Sequence, residues 1–300
     1  MNTPFLSWPA GGCRRIGTSG PSPEAIAQRS SVRAGGLALT HKLPRMYKSP
    51  QMGRGASLLR LFVLSALAAP FTPGCSGSGN QAATAQVLDP TQSHYGQTDS
   101  EWGALWWQWI YQLQETPSTG NCVIPFQDPT GAHCTDGQSG GGDVFFLAGT
   151  AGGTVVRDKC VVPSGKAIFF PILSSSYDNA GVPAAMQLSD AALMAALQSF
   201  LNGVSVSSLS AEFDGLPIEN LARFETQVTQ FSYTLPADPN VYSCEGEPGV
   251  TGSVSPSYAA GYYIMLPPPA PGAHVLHFAG SSPASNPPVT VDVTYNFTIQ

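Results

Sequence analysis

Between Val289 and Ile299 the chain alternates without a break. Val289, Val291, Val293, Tyr295, Phe297 and Ile299 are apolar, and Thr290, Asp292, Thr294, Asn296 and Thr298 separate them. Successive side chains of a strand point to opposite faces, so this pattern predicts a strand with one face buried and one wet, the habit of antiparallel sheets. Such a strand buries half a core and requires others to supply the rest. Shorter apolar runs predict further strands at 143–148, 154–157, 167–173, 204–207, 228–235, 261–266 and 274–279. Asp214-Gly215 between 211–213 and 216–218 has the residues of a hairpin turn. With 32 Gly and 27 Pro punctuating short strands, the expected architecture is mainly β, an antiparallel β-sandwich carrying one or two packed α-helices.

Two segments break the period-two rule. Thr98-Asp99-Ser100-Glu101 has the spacing of a capping box, and Trp102, Leu105, Trp106, Trp109, Ile110 and Leu113 then recur at helical intervals until Pro117. The second helix is expected to start at Ser189-Asp190 and to stop at Asn202-Gly203.

The N-terminal part carries targeting information instead of fold. Residues 1–51 form a leader rich in Pro, Gly, Ser and Arg, without hydrophobic periodicity, and translation is expected to start near Met46 or Met52. In 52–74, Arg54 and Arg60 precede the apolar run 61–69, which is too short to span a membrane. Small and turn-forming residues follow, ending in Thr72-Pro73-Gly74-Cys75, so the stretch reads as a secretory signal. Its Gly-Cys exit resembles a bacterial lipoprotein signal, which implies acylation at Cys75 and attachment to the cell envelope. Cleavage after Ala68 or Ala69 would instead release a periplasmic or extracellular protein. Residues 75–97 read as a flexible tether and 98–300 as a single domain.

Without the leader and signal the charge balance changes sign of emphasis. After Cys75 there are four Lys and Arg against 18 Asp and Glu, a balance of −14. Four cations cannot build a phosphate-neutralising surface, which excludes nucleic acid as a partner, and membrane contact is expected only through the lipid. Cys122, Cys134, Cys160 and Cys244 remain after Cys75, enough for two disulfides with three pairings open; zinc-type Cys-x₂-Cys spacing is absent.

No motif carries a compelling catalytic set. The stretch from Gly131 to Gly141 imitates pieces of serine hydrolases, but six positions separate His133 from Ser139, and a glycine run replaces the helix that a nucleophile elbow needs. Asp128, Asp143 and Asp178 are the candidate acids for a carboxylate-dependent hydrolase acting on polysaccharide or ester. Loop oxygens of Asp128, Asp136 and Asp143 could take Ca²⁺, the one cofactor considered. Trp102, Trp106, Trp107 and Tyr111 exceed what one helix face can hide and form the candidate platform for a glycan or another apolar ligand. His274 and His277, three apart on a strand, fall on opposite faces and cannot share a metal.

Several stretches taken together resemble an uncharacterised group of secreted bacterial proteins, over roughly residues 100 to 300. They are Trp106-Trp107-Gln108-Trp109, Asp128-Pro129-Thr130-Gly131 with Cys134 and Gly137-Gln138, and Phe146-Leu147-Ala148-Gly149-Thr150 with Gly152-Gly153-Thr154. Cys160-Val161-Val162-Pro163-Ser164-Gly165-Lys166, Phe169-Phe170-Pro171-Ile172, Pro271-Gly272-Ala273-His274 and Asp292-Val293-Thr294-Tyr295 complete the set. The resemblance implies no activity. It implies a Cys134–Cys160 pair, which leaves Cys122 and Cys244 for the second. The group carries Asn-Ser-Glu-like residues after its Phe-Pro-Ile, where this chain has Leu173-Ser174-Ser175-Ser176, so an acid role there would pass to Asp178. The expectation is an exported, envelope-anchored module that binds an extracellular glycan or protein, with the hydrolase as its rival.

Overall fold

The computed structural model describes residues 83–114, 124–138, 142–285 and 288–300. Helix α1 (Asp99–Gln112) starts at the expected capping box: Thr98 accepts from the Glu101 amide, and Glu101 Oε2 accepts from the Thr98 amide at 2.7 Å. Helix α2 (Asp190–Gly203) is capped by the Ser189 side chain, and α3 (Val241–Cys244) is a single turn capped by Asn240.

Among the described residues nine strands form two sheets. One has the order β1 (Val144–Phe146), β3 (Ala167–Tyr177), β7 (Gly252–Leu266), β6 (Thr229–Leu235). The other has the order β2 (Gly153–Val162), β9 (Val289–Ile299), β8 (Gly272–Ser282), β4 (Ser210–Phe213), β5 (Leu216–Pro217). The fold is therefore mainly β, with two packed helices and a third short one. The sheets are mixed, however: β1 pairs with β3, and β2 with β9, in parallel. Alternation along a strand records which faces are buried and is the same whichever way the neighbour runs, so it could not reveal this.

The two sheets share one core. Ile168, Phe170 and Ile172 of β3 and Ile264 of β7 meet Leu276, Phe278, Val293 and Phe297 from the second sheet, with the Phe170 and Phe278 rings 5.0 Å apart. Leu193, Leu197, Phe200 and Leu201 of α2 close its side. The opposite face of the first sheet is covered by α1, so β3 and the second half of β7 are buried on both faces. Gly103 permits that close approach, since a Cβ there would lie 2.8 Å from the Tyr263 ring.

The expected hairpin is present: β4 and β5 pair across Asp214 and Gly215, both at positive φ (52° and 77°) as a type I′ turn requires. The strand expected at 204–207 is instead a 3₁₀ turn, Val206–Ser208, because Ser208 Oγ and the Ser208 amide both bond the Ser205 carbonyl. The expected tether ends early as well. Ala85 is buried, its amide donates to Pro217 O, and the Leu88 amide donates to Met265 O.

Strand β2 holds the interaction that ties these layers together. Arg157 is 1 % exposed, and all five of its N–H groups are used. Nε donates to Asp128 O at 2.8 Å; Nη1 donates to Ala148 O and to the Tyr295 hydroxyl, both at 2.6 Å. Nη2 donates to Phe126 O and Gly149 O. Arg157 and Cys160, three apart, would lie on opposite faces of a regular strand. A bulge between them shifts the register, so both are buried, opposite Tyr295 and Phe297. The two residues of the bulge, Asp158 and Lys159, stand against the single Asn296, and both their amides donate to Thr130 O at 3.0 Å. Replacing Arg157 by Met should therefore strand several buried carbonyls and cost about 3 kcal/mol or more of unfolding free energy. Arg157→Lys should recover less than half of that loss in urea titrations, because one ammonium cannot reach five separated acceptors.

Candidate functional site

The candidate acids are structural acceptors. Asp128, 1 % exposed, accepts from the Thr130 amide (2.7 Å) and hydroxyl (2.8 Å) through Oδ1 and from the His133 amide (2.9 Å) through Oδ2. Burial opposes its ionisation, but these donors outweigh burial and hold the carboxyl below its usual range. Its task is to shape the loop whose carbonyls receive Arg157.

Asp178, 0 % exposed, follows β3 and takes four donors. Oδ2 accepts from the Tyr233 hydroxyl at 2.7 Å and from Ser257 Oγ at 3.2 Å; Oδ1 accepts from the Ala180 amide at 2.9 Å and from the Tyr242 hydroxyl at 3.2 Å. Burial still raises its pKa against those bonds, and burial raises the two tyrosines as well. Asp143 is exposed before β1 and contributes its backbone carbonyl to Ala167. The three acids share no hydrogen-bond partner. A substrate cannot reach Asp128 or Asp178 in this arrangement, which corrects their candidacy as hydrolytic acids.

The aromatic platform is corrected too. Trp106, Trp107 and Tyr111 are buried beneath α1, and Trp102 is half-buried. Each indole N–H has a partner: Trp102 donates to His94 O, Trp106 to Leu147 O, Trp107 to the Tyr263 hydroxyl and Trp109 to Asp136 O. Tyr111 donates to or accepts from Ser176 Oγ at 2.6 Å and stacks 4.1 Å from the Tyr233 ring. The extra rings that one helix face could not hide are enclosed between α1, β6 and the α3 turn.

Cys134 and Cys160 form a disulfide, Cα atoms 5.6 Å apart, which clips the Asp128 loop to β2 just beyond its bulge. Cys244 is also disulfide-bonded, whereas Cys122, the partner expected for it, lies outside the described residues, as do Cys75 and Ser139. His133 bonds Asp136 at 2.8 Å. Among the described residues no group of three or more His, Cys, Asp or Glu gathers closely enough to hold a metal ion. No described helix is long and apolar enough to cross a membrane.

One cleft combines a cavity with an unsatisfied charge. It measures about 370 Å³ and lies between the start of α1 (Thr98, Asp99, Ser100) and the segment 223–229 before and into β6, with Pro90 at one side. The volume is at the small end of ligand sites. Asp99 is 5 % exposed, and its Oδ1 is buried with no hydrogen-bond partner. Burial pushes its carboxyl up to about 6; His94 opposes that rise and Asp89 adds to it. Opposite it, Glu225 Oε2 accepts from the Tyr262 hydroxyl at 2.6 Å, and Thr226 Oγ1 is engaged with Gly261. The Arg223 guanidinium lies over the Phe224 ring, 4.7 Å from its centroid. Asp99 was legible in the sequence only as part of a capping box; nothing in its neighbours announces that the facing segment covers it. Compared with known protein families, with curated proteins and with solved structures, the chain matches none.

A carboxyl whose pKa is higher in the folded than in the unfolded protein binds its proton more tightly when folded. Stability therefore falls as pH rises from the unfolded value near 4 through about 6, and stays reduced above. Asp99→Asn removes that penalty. Thermal and urea unfolding should show the variant more stable than the parent at pH 8 by about 2 kcal/mol, after allowance for the cleft's contact with water. The difference should vanish near pH 4, where the parent's carboxyl is protonated.

Proposed function

We propose that this protein is exported, anchored to the cell envelope through acylated Cys75, and acts by binding or by surface structure instead of by catalysis. Its ligand is an extracellular glycan or another protein. The observation that carries this reading is the use made of its interior acids. A carboxylate hydrolase needs two carboxyl groups facing one scissile bond. Asp128 and Asp178 instead spend their oxygens on internal donors: the Thr130 and His133 groups for one, and Tyr233, Tyr242, Ser257 and Ala180 for the other. The Cys134–Cys160 disulfide supports an oxidising compartment, in keeping with export. The acidity after Cys75 works against attraction to nucleic acid and to anionic lipid, so membrane attachment falls to the acyl group at Cys75.

Three measurements test the proposal. Intact-mass analysis of membrane-extracted protein should show an acyl adduct at Cys75, and Cys75→Ala should leave the membrane fraction. On a glycan array the purified protein should retain specific ligands, or else capture a defined surface protein in a binary binding assay. Incubation with polysaccharide or model esters should release no reducing sugar or free acid. Hydrolysis that disappears in folded Asp128→Asn or Asp178→Asn would replace this reading with the carboxylate enzyme.

A further inference from the structure

We infer that His274 is held as an imidazolium and clasps the β4–β5 hairpin to the start of β8, forming a pH-sensitive device that is tight in mild acid and loosens as the surroundings turn alkaline. The inference goes beyond ligand binding. Export matters to it only by exposing the domain to the pH of the medium.

The argument begins with a proton count. His274 Nδ1 lies 2.7 Å from Asp214 Oδ2, and Nε2 lies 2.7 Å from Ala270 O. A carboxylate and a carbonyl both accept, whereas a neutral imidazole has a single N–H. Either neutral tautomer would therefore turn a lone pair towards an oxygen at hydrogen-bond distance. The proton of the Nδ1–Asp214 contact resides on the ring, much the stronger base, so only the doubly protonated ring satisfies both contacts.

The surroundings favour the same state. The ring stacks on Phe213, centroids 5.3 Å apart and planes 14° from parallel, and lies 5.8 Å from the Phe297 ring, contacts that attract a cation. Its side chain is 12 % exposed, so water competes little for either nitrogen. Burial opposes the charge, but the Asp214 and Ala270 bonds and the Asp214 charge outweigh burial and raise the pKa above the ordinary histidine value. The preceding segment presents Ala270, β4 presents Phe213 and β9 presents Phe297, so Asp214 is the charge that acts on the ring. His277 bonds Asp292 and stands opposite Glu212 on the other face of the sheet.

The Asp214 carboxylate ties the turn to β8 twice, since Oδ2 meets the ring and Oδ1 accepts from the Val275 amide at 2.9 Å. Beyond that turn, Pro217 O of β5 receives the Ala85 amide at 3.0 Å. Ala85 is buried in the core the sheets share, Val87 packs against it, and the Leu88 amide reaches Met265 O in the other sheet. This N-terminal segment thus bridges the two sheets and takes its first bond from the clasped hairpin. The proposed anchor, Cys75, lies upstream, so a pull on it enters the domain here. A histidine whose pKa is higher folded than unfolded contributes stability that is complete below about 6.5 and lost as pH rises through the folded value. The clasp therefore fails on the alkaline side.

Nuclear magnetic resonance and hydrogen exchange of the purified protein test this. At pH 6.5, where a free histidine is about half protonated, both His274 ring nitrogens should show the chemical shifts of N–H groups in most molecules. Between pH 5.5 and 8.5, protection of the Ala85, Asp214, Ile218 and Val275 amides, corrected for intrinsic exchange, should fall about fivefold, the size expected of a partly exposed ion pair. The midpoint of that step should match the titration of His274 itself. His274→Gln should abolish the step, while His277→Gln and Asp99→Asn should leave it in place. Should His274→Gln fail to fold, Asp214→Asn decides, because asparagine tolerates the positive φ of 52° and removes the charge: the His274 midpoint should fall and the step shrink. A ring that is neutral at pH 6.5, equal protection at both ends of the pH range, or a step that survives in His274→Gln overturns the inference.

Discussion

The structure depends on a buried cation that has no carboxylate bonded to it. Arg157 carries its charge into a site 1 % exposed and there meets four backbone carbonyls and one phenol, a set of partial charges that uses every donor it has. Those acceptors come from the loop at 126–128, from 148–149 after β1, and from β9. They have no other reason to converge. Removing a guanidinium from water is costly, so the arrangement persists only because each N–H is replaced by an equivalent bond. The β2 bulge makes the site, since without it Arg157 and Cys160 would face opposite ways. The disulfide and the Thr130 carbonyl then fasten the same loop from the other side. Gly131 permits the close fit: its φ is 81°, and a Cβ there would lie 2.9 Å from the Arg157 Cβ.

A second polar centre performs the same service on the far face of the first sheet. Asp178 collects Tyr233, Tyr242 and Ser257, and Tyr111 stacks on Tyr233 while reaching Ser176. Trp106, Trp107 and Trp109 of α1 are interior residues, each indole spent on a backbone carbonyl or a tyrosine hydroxyl. Against interiors so completely bonded, the bare Oδ1 of Asp99 stands out, because low dielectric magnifies the cost of an unpaired acceptor.

Much of the architecture was legible. The alternation from Val289 to Ile299, the Asp214-Gly215 turn and the two capped helices each rest on local geometry, and each is present. Reading failed where a local signal has two tertiary outcomes. Strand 154–157 continues to Val162 because a bulge resets its parity. Segment 204–207 is apolar and polar in strand order, yet Ser208 folds back onto Ser205. Aspartates at 128 and 178 look identical to catalytic acids in sequence, since sequence records a carboxyl but not whether its oxygens meet water or three hydroxyls.

By itself the sequence determined the alternation of the last strand, the capped starts of the two long helices, and the excess of acid over base after Cys75. Those are consequences of side-chain chemistry acting over a few neighbouring positions. The tertiary structure alone decided that the outer strand pairs run parallel, that Arg157 is interior, that the aromatic helix is enclosed, and that Asp99 ends beside a cavity. Each of these depends on which distant segment arrives opposite: Tyr295 opposite Arg157, Tyr263 beneath Trp107, residues 223–229 across from Asp99. Hydrogen bonding and desolvation are settled between partners, and a partner more than a hundred positions away leaves no mark on the local pattern.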